Sequence, residues 1–526
     1  MAATTARELL ASGARPATPF ERLRERILGM LDELRARGLS DEEALQSLYP
    51  TTILPLETLE SLTSALVAGS HVILFGPPGS GKTSLARDVW ALFPKKVWAV
   101  ADCPVQDDPF SLVDEAFSRL APPCPFCRMK YGGVRHGELR DFKASEVDPA
   151  AVPVAEGTLR EGHGMARIQG SSEVFPDNLT GSVNLHRLEQ LGDPMSPLVL
   201  EPGKLLQANR GLLIADEIGK LPVGTQNVLL QALQEGTVSP AKSRETFPAA
   251  FVAVCTSNLG DLDNITEPLS DRLANVYVGF NRSHLKNRLI VNMALGARPA
   301  RVLFPEVFLE AGVYLVEEWR RSAGEIYELS EVGSNRTMID IALRSEAYAA
   351  LDIGRDTAPD TSGAGGSGAG ARNGGGRGGA RNSAWAAAPG RAVSLEHFKR
   401  GALDAMLGHI RARGGDSYAQ DEKTVQEFLR KEFGVALHRA GLEYWCTFYN
   451  EVLKGDKSEA KRVLEECSQA LRAGPSGAAR LAKFQRFASY ALSRERFRGG
   501  LGDVETALEA FGLLKELDVF ECEEKR

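Results

Sequence analysis

The run Gly76-Pro77-Pro78-Gly79-Ser80-Gly81-Lys82-Thr83 constrains this chain more than any other feature. It follows the apolar stretch His71-Val72-Ile73-Leu74-Phe75 and precedes residues suited to a helix from about Gly81. A short apolar run closed by glycines reads as a strand buried on both faces that delivers the chain to a loop and a helix N-terminus. Glycines let the backbone wrap a phosphate so that successive N–H groups converge on it, and the helix adds the positive end of its dipole. The loop predicts a site for ATP built from Gly76 through Thr83 together with Ser84. In it the Lys82 ammonium neutralises the β- and γ-phosphates, and the Thr83 hydroxyl takes a Mg²⁺ position.

Two further apolar runs, Gly211 to Ala215 and Phe251 to Cys255, have the same character. Strands that alternate with helices predict a parallel sheet covered on both faces, hence an α/β fold. The second run ends in Asp216-Glu217, which places two carboxylates at the sheet edge beside the glycine loop. Asp216 is expected to orient Mg²⁺, and Glu217 to polarise an attacking water. The third run continues through Thr256 and Ser257 to Asn258, a polar amide suited to holding that water. Arg272, in Leu269-Ser270-Asp271-Arg272, is placed to serve a neighbouring subunit if chains assemble in a ring, or otherwise to form a surface ion pair.

In this order, phosphate loop, Asp-Glu strand, polar amide and arginine resemble the AAA+ superfamily of P-loop ATPases. Several segments are similar to its magnesium-chelatase and MoxR clade: Arg167 to Gly170, Phe175 to Leu185, Glu201 to Gly211, and Leu229 to Val238 followed by Phe247-Pro248. Gly333-Ser334-Asn335-Arg336 resembles the clade's lid, whose arginine would contact the γ-phosphate. The chain departs from the pattern where Asn258 precedes Leu259-Gly260-Asp261, and where Arg272 is followed by Leu273.

The resemblance implies an AAA+ P-loop core with an α-helical lid and a C-terminal all-α extension. The expected division is a helical lead-in over 1–44, an α/β core over 45–282, a helical lid over 283–413 and a helical domain over 414–526. Within the core stand a cysteine-bearing insertion at about 103–174 and a further insert at about 175–205. The lead-in carries Phe20, Leu23, Ile27, Leu31 and Leu34 at helical spacing, and Ser40 to Glu43 reads as a cap. A glycine-rich linker, 354–391, interrupts the lid, because such a composition buries no core. Beyond it, Phe428, Phe433, Leu437, Trp445 and Phe448 are suited to helical packing.

Composition limits the function classes. At 526 residues and 43% hydrophobic, the chain supports more than one core. A net charge of −7 gives no basic footprint, so nucleic acid is not expected as the main partner. No apolar run reaches the roughly eighteen residues a membrane span needs, and the N-terminus lacks a secretory apolar core; a cytoplasmic protein without membrane attachment is expected. Seven cysteines, an odd number, do not read as a disulfide framework. Cys124-Pro125-Phe126-Cys127 supplies two thiolates and Cys103 a third, and His136 or His163 could complete a zinc site; otherwise these are reduced thiols in a loop.

The resemblance further implies a homo-oligomeric ring, with hexamers the family expectation. Its expected work is protein remodelling or metal insertion with a von Willebrand factor A partner. Magnesium insertion into a porphyrin is an alternative. So is a nucleic-acid-stimulated motor whose pore would carry Lys242 and Arg244.

Overall fold

In the computed structural model of the protein, residues 5–134, 142–192, 199–240, 245–296, 306–322, 333–351, 395–409 and 418–452 are described, with isolated positions between them. Contacts divide the chain into two units, Met1–Asn281 and Arg282–Arg526.

The first unit begins with helices whose ends are written in the sequence. Helix α1 (Pro19–Ala36) opens with a reciprocal cap between Thr18 and Glu21 and has proline in its first turn, and α2 (Asp41–Leu48) opens with the same device from Ser40 and Glu43. Helix α3 (Leu56–Ala68) ends on Gly69 in the left-handed conformation. The buried stripe Leu23, Ile27 and Leu31 of α1 joins Leu59, Leu62 and Leu66 of α3 in the core that also receives the sheet. The described part of the expected helical lead-in, residues 5–44, packs into the main unit.

A six-stranded sheet follows, whose order is β8-β1-β7-β6-β5-β4, with neighbours parallel. The strands are β1 (His71–Gly76), β4 (Arg160–Glu161), β5 (Gly164–Gln169), β6 (Leu212–Asp216), β7 (Val252–Asn258) and β8 (Leu273–Tyr277). The period-2 geometry of a strand divides each apolar run between two cores. Val72, Leu74, Leu212, Ile214, Val252 and Val254 face one, while Ile73, Leu213, Ala215, Ala253 and Cys255 face the other. Around the sheet stand α4 (Lys82–Leu92), α6 (Val223–Glu235) and the short α7 (Glu267–Ser270).

The stretch at about 103–174, expected to be an insertion, contains part of this sheet. Strand β5 pairs with β6 from Met165↔Leu212 to Gln169↔Asp216. Its alternation of buried Ala166 and Ile168 with less buried Arg167 and Gln169 is a strand signature that the surrounding glycine and charge obscure. The excursion proper lies between β2 (Lys96–Val100) and β3 (Val154–Thr158), which form their own antiparallel ladder. It carries α5 (Pro125–Gly132) and a third apolar cluster with Phe110, Leu112, Phe117 and Val152. Between 175 and 205, Gly181–Val183 pairs antiparallel with Leu200–Pro202 around a helix, Leu185–Leu191. Thr237–Val238 and Phe247–Pro248 form a second small ladder; Lys242 and Arg244 between them lie outside the described residues.

Among the described residues the second unit is helical: α8 (His284–Gly296), α9 (Glu306–Ser322), α10 (Asn335–Leu351), α11 (Leu395–His409) and α12 (Tyr418–Val452). Phe308 of α9 stacks on Phe398 of α11 at 5.0 Å, and Trp319 of α9 meets Phe428 of α12 edge-on at 4.4 Å. The start of the expected C-terminal domain thus shares a core with the expected lid. The glycine-rich linker and everything after 452, like the side chains of Trp445 and Phe448, lie outside the described residues.

Gly211 enters β6 where a Cβ would lie 1.7 Å from the Gly164 carbonyl oxygen, whereas a Cβ on Gly224 of α6 would meet nothing. Gly211→Ala is expected to lower stability by about 3 kcal/mol through backbone displacement. Gly224→Ala is expected to raise it by about 0.5 kcal/mol. Thermal and denaturant melts of both variants check the contrast.

Candidate active site

Three adjacent parallel strands, β1, β7 and β6, end at the same edge of the sheet, where the crevice beyond the strand ends is the usual binding position in such folds. From β1 the chain passes through Pro77, exposed Pro78 and Gly79 into α4. Gly81 caps that helix at φ 103°, a backbone conformation that a side chain would strain. Lys82 and Thr83 therefore stand in the first turn at the helix's positive end, with Ser84 half-buried beside them.

The Lys82 ammonium is buried and folded back over the loop. It donates to the Gly76 carbonyl at 2.9 Å, the Pro77 carbonyl at 2.8 Å and Asn258 Oδ1 at 3.1 Å. Asn258 stands opposite Gly76 in the β1–β7 register, which brings the amide to the loop. Burial lowers the Lys82 pKa from its ordinary 10.5 to about 8, against the upward pull of Glu217 and Asp216. The Ser80 hydroxyl is buried without a hydrogen-bond partner. An orphaned donor beside a lysine, at a helix N-terminus, fits a phosphate group.

Asp216 ends β6 in a position only 3% exposed. Its Oδ1 accepts from Thr83 Oγ1 at 3.1 Å and Thr256 Oγ1 at 3.2 Å, while Oδ2 accepts from Arg167 Nε at 2.8 Å. A buried carboxylate beside a threonine hydroxyl is an oxygen donor set suited to Mg²⁺. Glu217 follows at φ 54° and ψ 47°, left-handed for a side-chain-bearing residue, with its N–H donating to Thr256 Oγ1 at 3.0 Å. Its carboxylate accepts from Gln169 Nε2 at 3.1 Å and Lys220 Nζ at 3.0 Å. The strained backbone turns Glu217 away from the strand path and aims it at the end of β5.

The structure therefore brings together Lys82, Thr83, Asp216, Glu217 and Asn258. Arg272 is exposed at the end of α7, where its guanidinium donates to the Gln234 side-chain oxygen at 3.1 and 3.0 Å once that amide is turned to accept. Arg336 is exposed in the first turn of α10, in the second unit. Sequence reasoning missed Arg167, Gln169, Lys220 and Thr256. The first two stand in the Arg167 to Gly170 segment that resembles the clade, but their role depends on the polar face of β5, which the glycine- and charge-rich surroundings obscure. Of the proposed zinc ligands, Cys103, Cys124 and Cys127 meet in one buried cluster. His163 is exposed in the turn before β5 and is not in that cluster, and His136 lies outside the described residues.

Residues 67–283, from the end of α3 to just beyond β8, match the PrkA AAA domain family. Among solved structures, the chain is similar to the complex between subunits BchI and BchD of magnesium chelatase at 18% identity, covering 70% of this chain and 97% of that one with a TM-score of 0.31. It is similar to a Thermotoga maritima RuvB mutant at 14% identity, covering 58% and 68%, TM-score 0.29. It is also similar to NtrX from Brucella abortus in complex with ADP at 13% identity, covering 63% and 57%, TM-score 0.33. The fold over 67–283 is that of an AAA P-loop core, a parallel six-stranded sheet flanked by helices, and the described residues that follow are helical. Among the described residues no helix is long and apolar enough to cross a membrane.

Two expectations follow from the site. Lys82 titrates lower in the folded chain than in the unfolded one, so between about pH 8 and 10.5 the unfolded chain holds the extra proton and this group's contribution to stability grows as pH rises. A bound phosphate restores the ammonium, so nucleotide binding is expected to take up a proton and to weaken as pH rises above about 8. Titration calorimetry near that pH, in two buffers of different ionisation enthalpy, should give different heats; equal heats would show no proton uptake. Secondly, Arg167→Gln leaves Asp216 buried with less counter-charge. Because Arg167 is 38% exposed, the expected loss is about 1–2 kcal/mol rather than a fully buried pair's value. Melting with and without magnesium nucleotide should show the deficit narrowing when nucleotide is bound.

Proposed function

We propose that the chain is an ATP-hydrolysing motor of the AAA+ kind that works as a homomeric ring, hexameric by family expectation. In this reading it remodels a protein or assists metal insertion together with a von Willebrand factor A partner, on the magnesium-chelatase and MoxR side of the superfamily. The observation that carries the ATPase reading is the meeting of Lys82, Thr83, Asp216, Glu217 and Asn258 at the ends of three neighbouring strands.

In this mechanism the Lys82 ammonium exchanges its two carbonyl partners for phosphate oxygens, and the Ser80 hydroxyl gains the acceptor it lacks. Mg²⁺ bound with the nucleotide would be held by Thr83 and Asp216 and would supply Lewis-acid polarisation of the phosphate oxygens. For Asp216 to serve there, Arg167 swings off Oδ2. Glu217 orients the attacking water and draws on its proton once released from Gln169 and Lys220. Asn258, already on Lys82, holds the other side of that water. Exposed Arg272 enters the site of a neighbouring chain, where an arginine supplied in trans is worth about 10³ to 10⁵ in rate. Arg336, exposed on α10, is assigned to the γ-phosphate by the family resemblance, so that phosphate loss moves the lid.

The ATPase rate per chain is expected to rise with protein concentration in step with particle mass. Glu217→Gln is expected to reduce it by about a hundredfold or more while nucleotide still binds. Arg272→Ala chains should be nearly inactive alone and regain part of the activity when mixed with Glu217→Gln chains. An interface whose site comes from an Arg272→Ala chain and whose arginine comes from a Glu217→Gln chain has both groups intact, while the reverse interface lacks both. A monomer with a concentration-independent rate, or mixtures that stay inactive, would sink the ring mechanism.

A further inference from the structure

Away from the phosphate site, the excursion between β2 and β3 carries a second concentration of ligating groups that the nucleotide chemistry does not use. Cys103 follows β2, Asp107 comes four residues later, and Cys124 and Cys127 open α5. One ligand atom from each lies within 4.8 Å of all the others, and the four residues are 7%, 2%, 1% and 0% exposed. Their cysteines are free thiols.

The spacing decides between chemistries. Cys103 Sγ and Cys124 Sγ are 3.7 Å apart. A disulfide would need about 2.05 Å. Two sulfurs at the corners of a tetrahedron around zinc, with Zn–S bonds of about 2.3 Å, stand about 3.8 Å apart. The surroundings also suit thiolates rather than thiols. The Asp107 N–H donates to Cys103 Sγ at 3.3 Å and the Cys127 N–H to Cys124 Sγ at 3.4 Å, so each of these sulfurs already accepts a backbone hydrogen bond. Cys124 caps α5, at that helix's positive end. The Asp107 carboxylate accepts from the Cys124 N–H through Oδ2 at 2.7 Å, which fixes its orientation toward the cluster.

We propose that Cys103, Asp107, Cys124 and Cys127 form a tetrahedral zinc site that closes the 103–127 segment into one rigid piece. Three thiolates and one carboxylate are a donor set that selects zinc over the harder magnesium and calcium ions. The fourth ligand is thus the near carboxylate of Asp107 and not a histidine. The site also fastens what lies next to it. Arg210 donates to the Gln106 carbonyl at 2.8 Å and pairs with Asp108 at 2.7 Å, and it stands immediately before Gly211 and β6. The loop closed by the metal therefore clasps the residue from which the Asp216 strand departs.

The test uses the purified 526-residue chain. Elemental analysis after dialysis under reducing conditions is expected to find about one zinc per chain, and Cys124→Ser and Cys127→Ser to reduce it to background, while His163→Ala keeps it. Asp107→Ala is expected to weaken zinc binding more than about tenfold in a competition with a chromophoric chelator. Because the cysteine variants could fail to fold, cobalt exchanged into the wild-type chain gives an independent reading. Its thiolate-to-cobalt charge-transfer band should have the intensity of three thiolates and rise to that of four in Asp107→Cys. A reduced wild-type chain that neither carries zinc nor takes up zinc or cobalt would overturn the site. So would a two-thiolate band, or loss of metal in His163→Ala with retention in Asp107→Ala. None of these readouts depends on ATP hydrolysis, so the site stands or falls separately from the motor.

Discussion

Asp216 is a carboxylate at the end of a strand buried on both faces, and the site depends on keeping it there as an anion. An isolated buried charge would be prohibitively costly, so such groups survive only when paired and hydrogen-bonded. Thr83, Thr256 and Arg167 meet that need from three elements, α4, β7 and β5. The requirement therefore fixes the relation of the phosphate loop to the sheet. Thr256 serves twice, through Oγ1 to Asp216 and as acceptor for the Glu217 N–H, so the same hydroxyl that steadies the first carboxylate sets the turn that presents the second.

Much of this was legible in the sequence wherever a local pattern coincided with a local cause. The runs at 71–75, 211–215 and 251–255 are strands because a parallel sheet covered on both faces wants uninterrupted apolar residues, and the glycine loop can follow only such a strand. The caps at Thr18 and Ser40 are equally local. Strand β5 was obscured because it lies at the sheet's less covered side, with one polar face and glycines at both ends. Its partner on the inner side, β6, is more than forty residues away in sequence, and no composition window reports that. The same distance hid Arg167 and Gln169, whose importance comes from what β6 places beside them.

The cysteines show the opposite balance. Their proximity could be guessed from Cys124-x-x-Cys127 with Cys103 upstream, yet the fourth member of the cluster could not. Asp107 reads in sequence as one of two adjacent acids before Pro109. The fold separates them completely: Asp107 turns inward to the sulfurs, and Asp108 turns to Arg210.

Strand β6 is held at both ends. Arg210 at its entry is gripped through Gln106 and Asp108, and its carbonyl accepts from Arg22 of α1; Asp216 at its exit is held by three elements. A strand pinned in this way behaves as a fixed rail along its axis, and in the proposed mechanism it keeps its place as nucleotide comes and goes. Whatever signal leaves the site must then travel through parts that can pivot without moving the rail: the side chains of Arg167 and Gln169, and the short turn after Glu217, where Lys220 reaches back to the carboxylate. In the proposed motor, communication from this site is therefore a matter of exchanged side-chain partners, and the exchange is felt next in the turn at 218–220, where buried Gly219 lies against the Asp261 backbone.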